Sequence, residues 1–113
     1  MTIEVKERRK TLYVPAENIL RMEAASVYTV LHEKNGSQHV MCTHLGQVMK
    51  RLSKQDELQK MFFRVNRSQI INLKEVTFYQ KGRGGKVVMS DNVVVAVAQR
   101  RKTELLNVLK KLK

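Results

Sequence analysis

The chain has 113 residues, 42% of them hydrophobic, and 22 Lys and Arg stand against 10 Asp and Glu for a net charge of +12. A mass of 13.1 kDa and a mean hydropathy of −0.38 describe one folded unit able to bury its own core, with no room for a multidomain enzyme. No apolar run approaches the ~20 residues of a membrane span, and a lone cysteine, Cys42, excludes a disulfide scaffold.

A single unpaired thiol, and a first ten residues without an apolar signal segment, point to a reducing, cytoplasmic setting. Along the chain, Thr11–Pro15 is a short apolar strand closed by the only proline. Ile19 to Ala24 alternates, with Ile19, Arg21 and Glu23 on one side and Leu20, Met22 and Ala24 on the other. Val27–His32 and Gln38–Cys42 are further strands, and Asn35-Gly36 between them signals a hairpin. The period then changes. Leu45, Val48, Met49 and Leu52 share a helical face over about residues 44–53, with Thr43 as N-cap. A polar stretch, Ser53–Glu57, leads to Leu58 and Met61. Strands resume at Phe63–Val65, Gln69–Leu73, Val76–Tyr79, Lys86–Met89 and Val93–Val97, with turn chemistry at 81–85 and at Asp91-Asn92. Leu105, Leu106, Val108, Leu109 and Leu112 form the apolar side of a terminal helix. This pattern is that of a mainly β domain of antiparallel sheets with a short central helix and a C-terminal helix. Phe62, Phe63 and Phe78 read as core.

The positive charge is not evenly spread. Residues 50–86 carry a net +7 and residues 99–113 a net +5, whereas residues 11–49 and 87–98 are each −1 and residues 1–10 are +2. Such concentration points to a nucleic-acid partner. Competing chemistries find less support. His32, His39 and His44 lie near Cys42, but no zinc-type spacing joins them, so no metal and no cofactor is expected. The glycines at 82, 84 and 85 miss the phosphate-loop spacing at Gln80 and Val87. No serine stands in an elbow context and no carboxylate pair accompanies a histidine, so no enzymatic activity is expected. The basic terminal helix lacks Trp and Phe, which argues for packing on the sheets rather than on a membrane.

Two clusters carry the recognition chemistry. In Phe62–Leu73, Arg64, Asn66, Arg67 and Ser68 gather guanidinium, amide and hydroxyl groups on a short connection between core anchors. These are the groups that pair with base edges and phosphate oxygens. The second cluster, Gln99-Arg100-Arg101-Lys102, directly follows a strand. Asn66 is expected to be partly solvent-facing, so that histidine there would change stability by less than about 0.5 kcal/mol.

The run Phe62–Leu73 resembles the F-x-R-V-H-R-S-x-x-V-N signature of the LytTR DNA-binding domain of bacterial response regulators. Ile19–Tyr28 resembles that family's I-x-Y-I-E-A-x-x-x-Y opening, and Val94–Arg100 its closing L-P-V-S-R-R. The likeness runs from about Leu12 to Leu109 within a single domain spanning 1–113. Asn66 replaces the signature histidine, Gln69 the aromatic after the serine, and Ala98-Gln99 the serine before the arginines. The resemblance implies an elongated β fold that reads successive major grooves of double-stranded DNA with loops, often at paired direct repeats and with two copies on the DNA. It implies contacts from Ser26, Val27 and Tyr28, from Asn66, Arg67 and Ser68, and from Arg100. Arg67, Arg100 and Tyr28 are assigned to bases; Asn66, Ser68, Arg64, Lys86, Arg101 and Lys102 are assigned to the backbone, with Ser26 and Val27 as loop contacts. A receiver domain, common ahead of this module in the family, would need more residues than are present, so the chain reads as either a stand-alone regulator or an excised piece. The rival reading is a small RNA-binding or ribosome-associated β protein, disfavoured by having only six aromatics and no Trp. Charge alone leaves a third class open, a module docking acidic protein partners.

Overall fold

The computed structural model describes residues 1–112. Ten strands form three antiparallel sheets: β1 (Thr2–Lys6) with β2 (Thr11–Pro15); a central sheet of β3 (Ile19–Ala25), β4 (Tyr28–Glu33), β5 (Gln38–Met41), β6 (Phe62–Asn66) and β7 (Gln69–Asn72); and β8 (Val76–Gln80), β9 (Lys86–Met89) and β10 (Val94–Ala96). The central sheet has the order β5-β4-β3-β7-β6. Three helices complete the fold: α1 (Leu45–Ser53), α2 (Asp56–Met61) and α3 (Lys102–Leu112). The molecule is elongated, 43 × 27 × 25 Å.

The central sheet separates two cores. Successive side chains on a strand point to opposite faces. Phe62 and Ile70 therefore enter a first core with Ile3, Val5, Val14 and the α1 residues Leu45, Val48 and Leu52. Their neighbours Phe63 and Ile71 enter a second core with Val87, Met89, Val95 and the α3 residues Leu105 and Leu109. A side chain of this size contributes roughly 1.5–3 kcal/mol when fully buried, so the β6–β7 hairpin is held from both sides.

Several expectations are corrected, each for a local reason. Thr2–Lys6 is a strand paired with β2 along its whole length, burying Ile3 and Val5. The polar stretch before Phe62 contains α2, anchored by Leu58. Ile19 shares the core of Met22 rather than the side of Arg21, because a bulge between Ile19 and Arg21 breaks the alternation. A second bulge, between Val76 and Phe78, turns Phe78 outward at 52% exposure and Tyr79 inward. The N-cap of α1 is His44, whose Nδ1 accepts from the Gln47 amide at 3.3 Å; the Thr43 carbonyl instead accepts from buried Thr29 Oγ1 at 2.7 Å. The β4–β5 hairpin forms as expected, with only Gly36 at positive φ; the Asn35 side chain accepts from the Ser37 amide.

On the second face of the central sheet, Arg21 is buried and donates to Asp91 Oδ2 at 2.8 Å, joining β3 to the β9–β10 turn. Desolvation alone would raise the Asp91 carboxyl, but the hydrogen bond from Arg21, the Val93 amide and the guanidinium charge together hold it below its ordinary value. A carboxyl lowered in the folded state stabilises the fold above its unfolded-state pKa, and that contribution fades as pH falls through the folded-state value. Asp91→Ala is expected to destabilise the protein by about 1–2 kcal/mol at neutral pH, the loss of one partly exposed charge-assisted hydrogen bond. Denaturant midpoints of both forms should converge on acidification below the ordinary aspartate range. A gap that stays constant into acid would show that the carboxylate is not its source.

Candidate nucleic-acid interface

Strand register decides which turns share an end of the molecule. Antiparallel pairing of β3 with β7, continued by the Ala24 amide donating to the Ser68 carbonyl at 2.8 Å, sets the Ser26-Val27 turn beside the Arg67-Ser68 turn. Ser26 adopts φ 61, a left-handed conformation that lets Ala25 pair with Tyr28 across a two-residue connection. Val27 and Tyr28 are both exposed there.

The last strand is tied to the same end. The Ala98 amide donates to the Val65 carbonyl at 3.0 Å, so the chain leaving β10 crosses onto β6 before the 3₁₀ turn Gln99–Arg101. Lys86 pairs with Ala96, and the Val97 amide donates to the Gly85 carbonyl at 3.1 Å, which adds the 81–85 loop with Lys81 and Arg83. Gly85 has φ +43, and a Cβ on it would collide first with the Tyr79 hydroxyl and then lie 2.9 Å from Lys102 Cε, so glycine makes room for the Tyr79 ring and for the Lys102 chain beside this loop. Every residue assigned to DNA from the sequence therefore stands at or beside one end of the fold.

Asn66 and Arg64 are differently occupied from the rest. Asn66 Nδ2 donates to Gln69 Oε1 at 2.9 Å and to the Ala96 carbonyl at 2.8 Å, while its Oδ1 accepts from the Ser68 amide at 2.8 Å. Its amide is thus spent inside the protein, clamping the Arg67-Ser68 turn and fastening it to β10. Arg64 Nη2 donates to the Arg67 carbonyl at 2.7 Å, a second brace on that turn. Asn66 is half-buried, in line with the expected partial exposure, but its three hydrogen bonds make exchange there expected to cost more than about 0.5 kcal/mol. Nothing in the local sequence shows a partner thirty residues away.

The cations at this end are unpaired among the described residues: no carboxylate lies within 4.0 Å of the side-chain cations of Arg67, Lys86, Arg100, Arg101 or Lys102. At the opposite end, the turns carry Glu17, Glu75 and Asp91, and Lys34 is paired to Glu75 at 3.4 Å. The histidines are engaged locally: His32 Nε2 lies 2.6 Å from Glu23, His39 Nε2 lies 3.0 Å from Glu33, and His44 caps α1. No described helix is long and apolar enough to cross a membrane.

An end that offers unpaired guanidinium and ammonium groups on short, braced turns suits an anionic, extended partner. A family model described as the LytTr DNA-binding domain matches residues 9–110. The chain belongs to the LytTr DNA-binding domain family. The fold agrees with that of a LytTr DNA-binding domain from Bacillus cereus, part of a protein described as a methyl-accepting/DNA response regulator. The TM-score is 0.74 over 96% of this chain and 95% of that one, at 18% identity. No curated protein matches. The described strands form three antiparallel sheets.

Proposed function

We propose that this LytTr domain binds double-stranded DNA sequence-specifically as the output module of a transcriptional regulator. The turns at 26–28 and 66–68 and the 3₁₀ segment at 99–101 enter successive major grooves. Arg67, Arg100 and Tyr28 meet bases; Ser68, Lys86, Arg101 and Lys102, with Ser26 and Val27, contact the backbone. Asn66 and Arg64 act through the turn they brace. Two copies occupy paired direct repeats.

The observation that carries this reading is the convergence of these three segments, remote in sequence, on one end where their cations have no internal partner. A guanidinium on a braced turn has lost much of its freedom before binding, which favours bidentate pairing with guanine. The exposed Phe78 does not favour RNA, since one isolated aromatic on the outer sheet is no stacking platform for successive bases.

Selection of bound duplexes from a random library, with single-stranded RNA as competitor, tests the proposal. A shared motif enriched as two direct repeats is expected. Enrichment of no motif, or displacement of duplex by equimolar RNA, would refute specific duplex reading. On the selected duplex, log Kobs should fall linearly with log[salt] at a slope steeper than about −3, given roughly −0.9 per phosphate neutralised.

A further inference from the structure

By sequence alone, a net +2 over residues 1–10 is ordinary. The fold changes their meaning. The Cys42 amide donates to the Lys6 carbonyl at 2.8 Å, which lays the end of β1 along the end of β5. The β1–β2 turn, closed by the Glu7 amide donating to the Lys10 carbonyl at 2.9 Å, is carried to the same end as Tyr28. There it forms one wall of a cleft of about 730 Å³ whose other side is Tyr28, Val40 and Cys42.

The only acid of this turn faces inward. Glu7 Oε2 lies 3.8 Å from His39 Nδ1, and its buried Oε1 lies 3.9 Å from Lys10 Nζ. Arg8 and Arg9 are exposed, and neither has a carboxylate within 4.0 Å among the described residues. Two unpaired guanidinium groups therefore stand across an open cleft from a residue assigned to DNA. The cleft is open to solvent with Arg8 and Arg9 lining one side of it, which suits a sugar-phosphate strand passing through better than an enclosed small molecule.

We propose that the β1–β2 turn is a further DNA-contacting element, in which Arg8 and Arg9 hold backbone phosphates on the flank of the duplex next to the Tyr28 contact. This rests on the duplex-binding reading above and extends its footprint by one strand. Arg8 lies just outside the residues that the family model matches, which begin at Arg9. Phosphate contacts carry no sequence information, so the turn adds affinity and salt dependence without changing base preference.

The test uses the full chain, a fluorescein-labelled 40-base-pair duplex of random sequence, and the selected duplex. Arg8→Ala/Arg9→Ala should shallow the salt slope by about 2 units, at roughly −0.9 per phosphate. It should weaken both duplexes by the same factor, and Arg8→Lys/Arg9→Lys should restore most of the slope. An unchanged slope and affinity in the alanine pair, while Arg67→Ala still weakens the selected duplex, would overturn this contact and leave the duplex-binding proposal standing. Loss confined to the selected duplex would also overturn it, since that is base readout. Failure of the unaltered chain to bind either duplex would overturn both proposals.

Discussion

Replacing both Arg67 and Arg100 with alanine is expected to cost about 2–6 kcal/mol of binding on a selected duplex, since each base-reading arginine is worth about 1–3 kcal/mol and separated positions add roughly. That corresponds to about 30-fold to 10⁴-fold in Kd. Each single variant should relax preference at its own base position. Lys102→Ala should instead weaken all duplexes about equally and shallow the salt slope by roughly one unit. The distinction follows from placement. Arg67 sits on a two-residue turn braced by Asn66 and Arg64, and Arg100 on a 3₁₀ segment tied to β6 through Ala98, whereas Lys102 lies along the 81–85 loop. Equal losses on selected and random duplexes for Arg67→Ala would refute its assignment to a base.

The second large effect is on the fold itself. Asn66→Ala should destabilise the protein by about 2–4 kcal/mol, because three hydrogen bonds at net values near 1 kcal/mol each are lost and the Ala96 carbonyl and Ser68 amide lose their partners. Asn66→Asp keeps the acceptor for the Ser68 amide but removes both donors and sets a carboxylate against the Ala96 carbonyl, so it should be no better than alanine. Asn66→His, the family's usual residue, offers one donor in place of two and should cost about 1–2 kcal/mol. In each variant, affinity for the selected duplex should fall more than affinity for random duplex, since the turn loses its tie to β10. Urea midpoints and binding isotherms in one buffer read both quantities. A stability loss under about 0.5 kcal/mol for Asn66→Ala would remove Asn66 from this positioning role.

The strands and helices with regular periods were legible in the sequence, and the exceptions share a cause. Ile19 and Phe78 were assigned to the wrong side because each lies beside a β-bulge, and a bulge shifts the period by one without a mark in composition. Thr2–Lys6 does alternate, but Ile3 and Val5 among charged neighbours are too few to announce a strand until β2 and the first core receive them. α2 is six residues with Leu58 alone buried, shorter than a periodic signal needs.

The candidate interface divides in the same way. Residues 66–68 and 99–102 could be found because their polar groups are consecutive in sequence and carry the family signature. Arg8 and Arg9 could not, because what brings them to Tyr28 is the contact of Lys6 with Cys42, a pairing between distant segments. Asn66 was found for its chemistry, and its use of that chemistry within the protein depended on where β10 passes.

Amide chemical shifts followed during titration of the isotopically labelled protein with the selected duplex test most directly whether the basic end is the DNA-binding surface. Perturbations concentrated at residues 7–10, 26–28, 66–68 and 98–102, with little change in the turns at 34–37, 73–75 and 90–93, are the expected result. Perturbations centred on those three distant turns, or on the outer face around Phe78, Val88 and Val94, would contradict it.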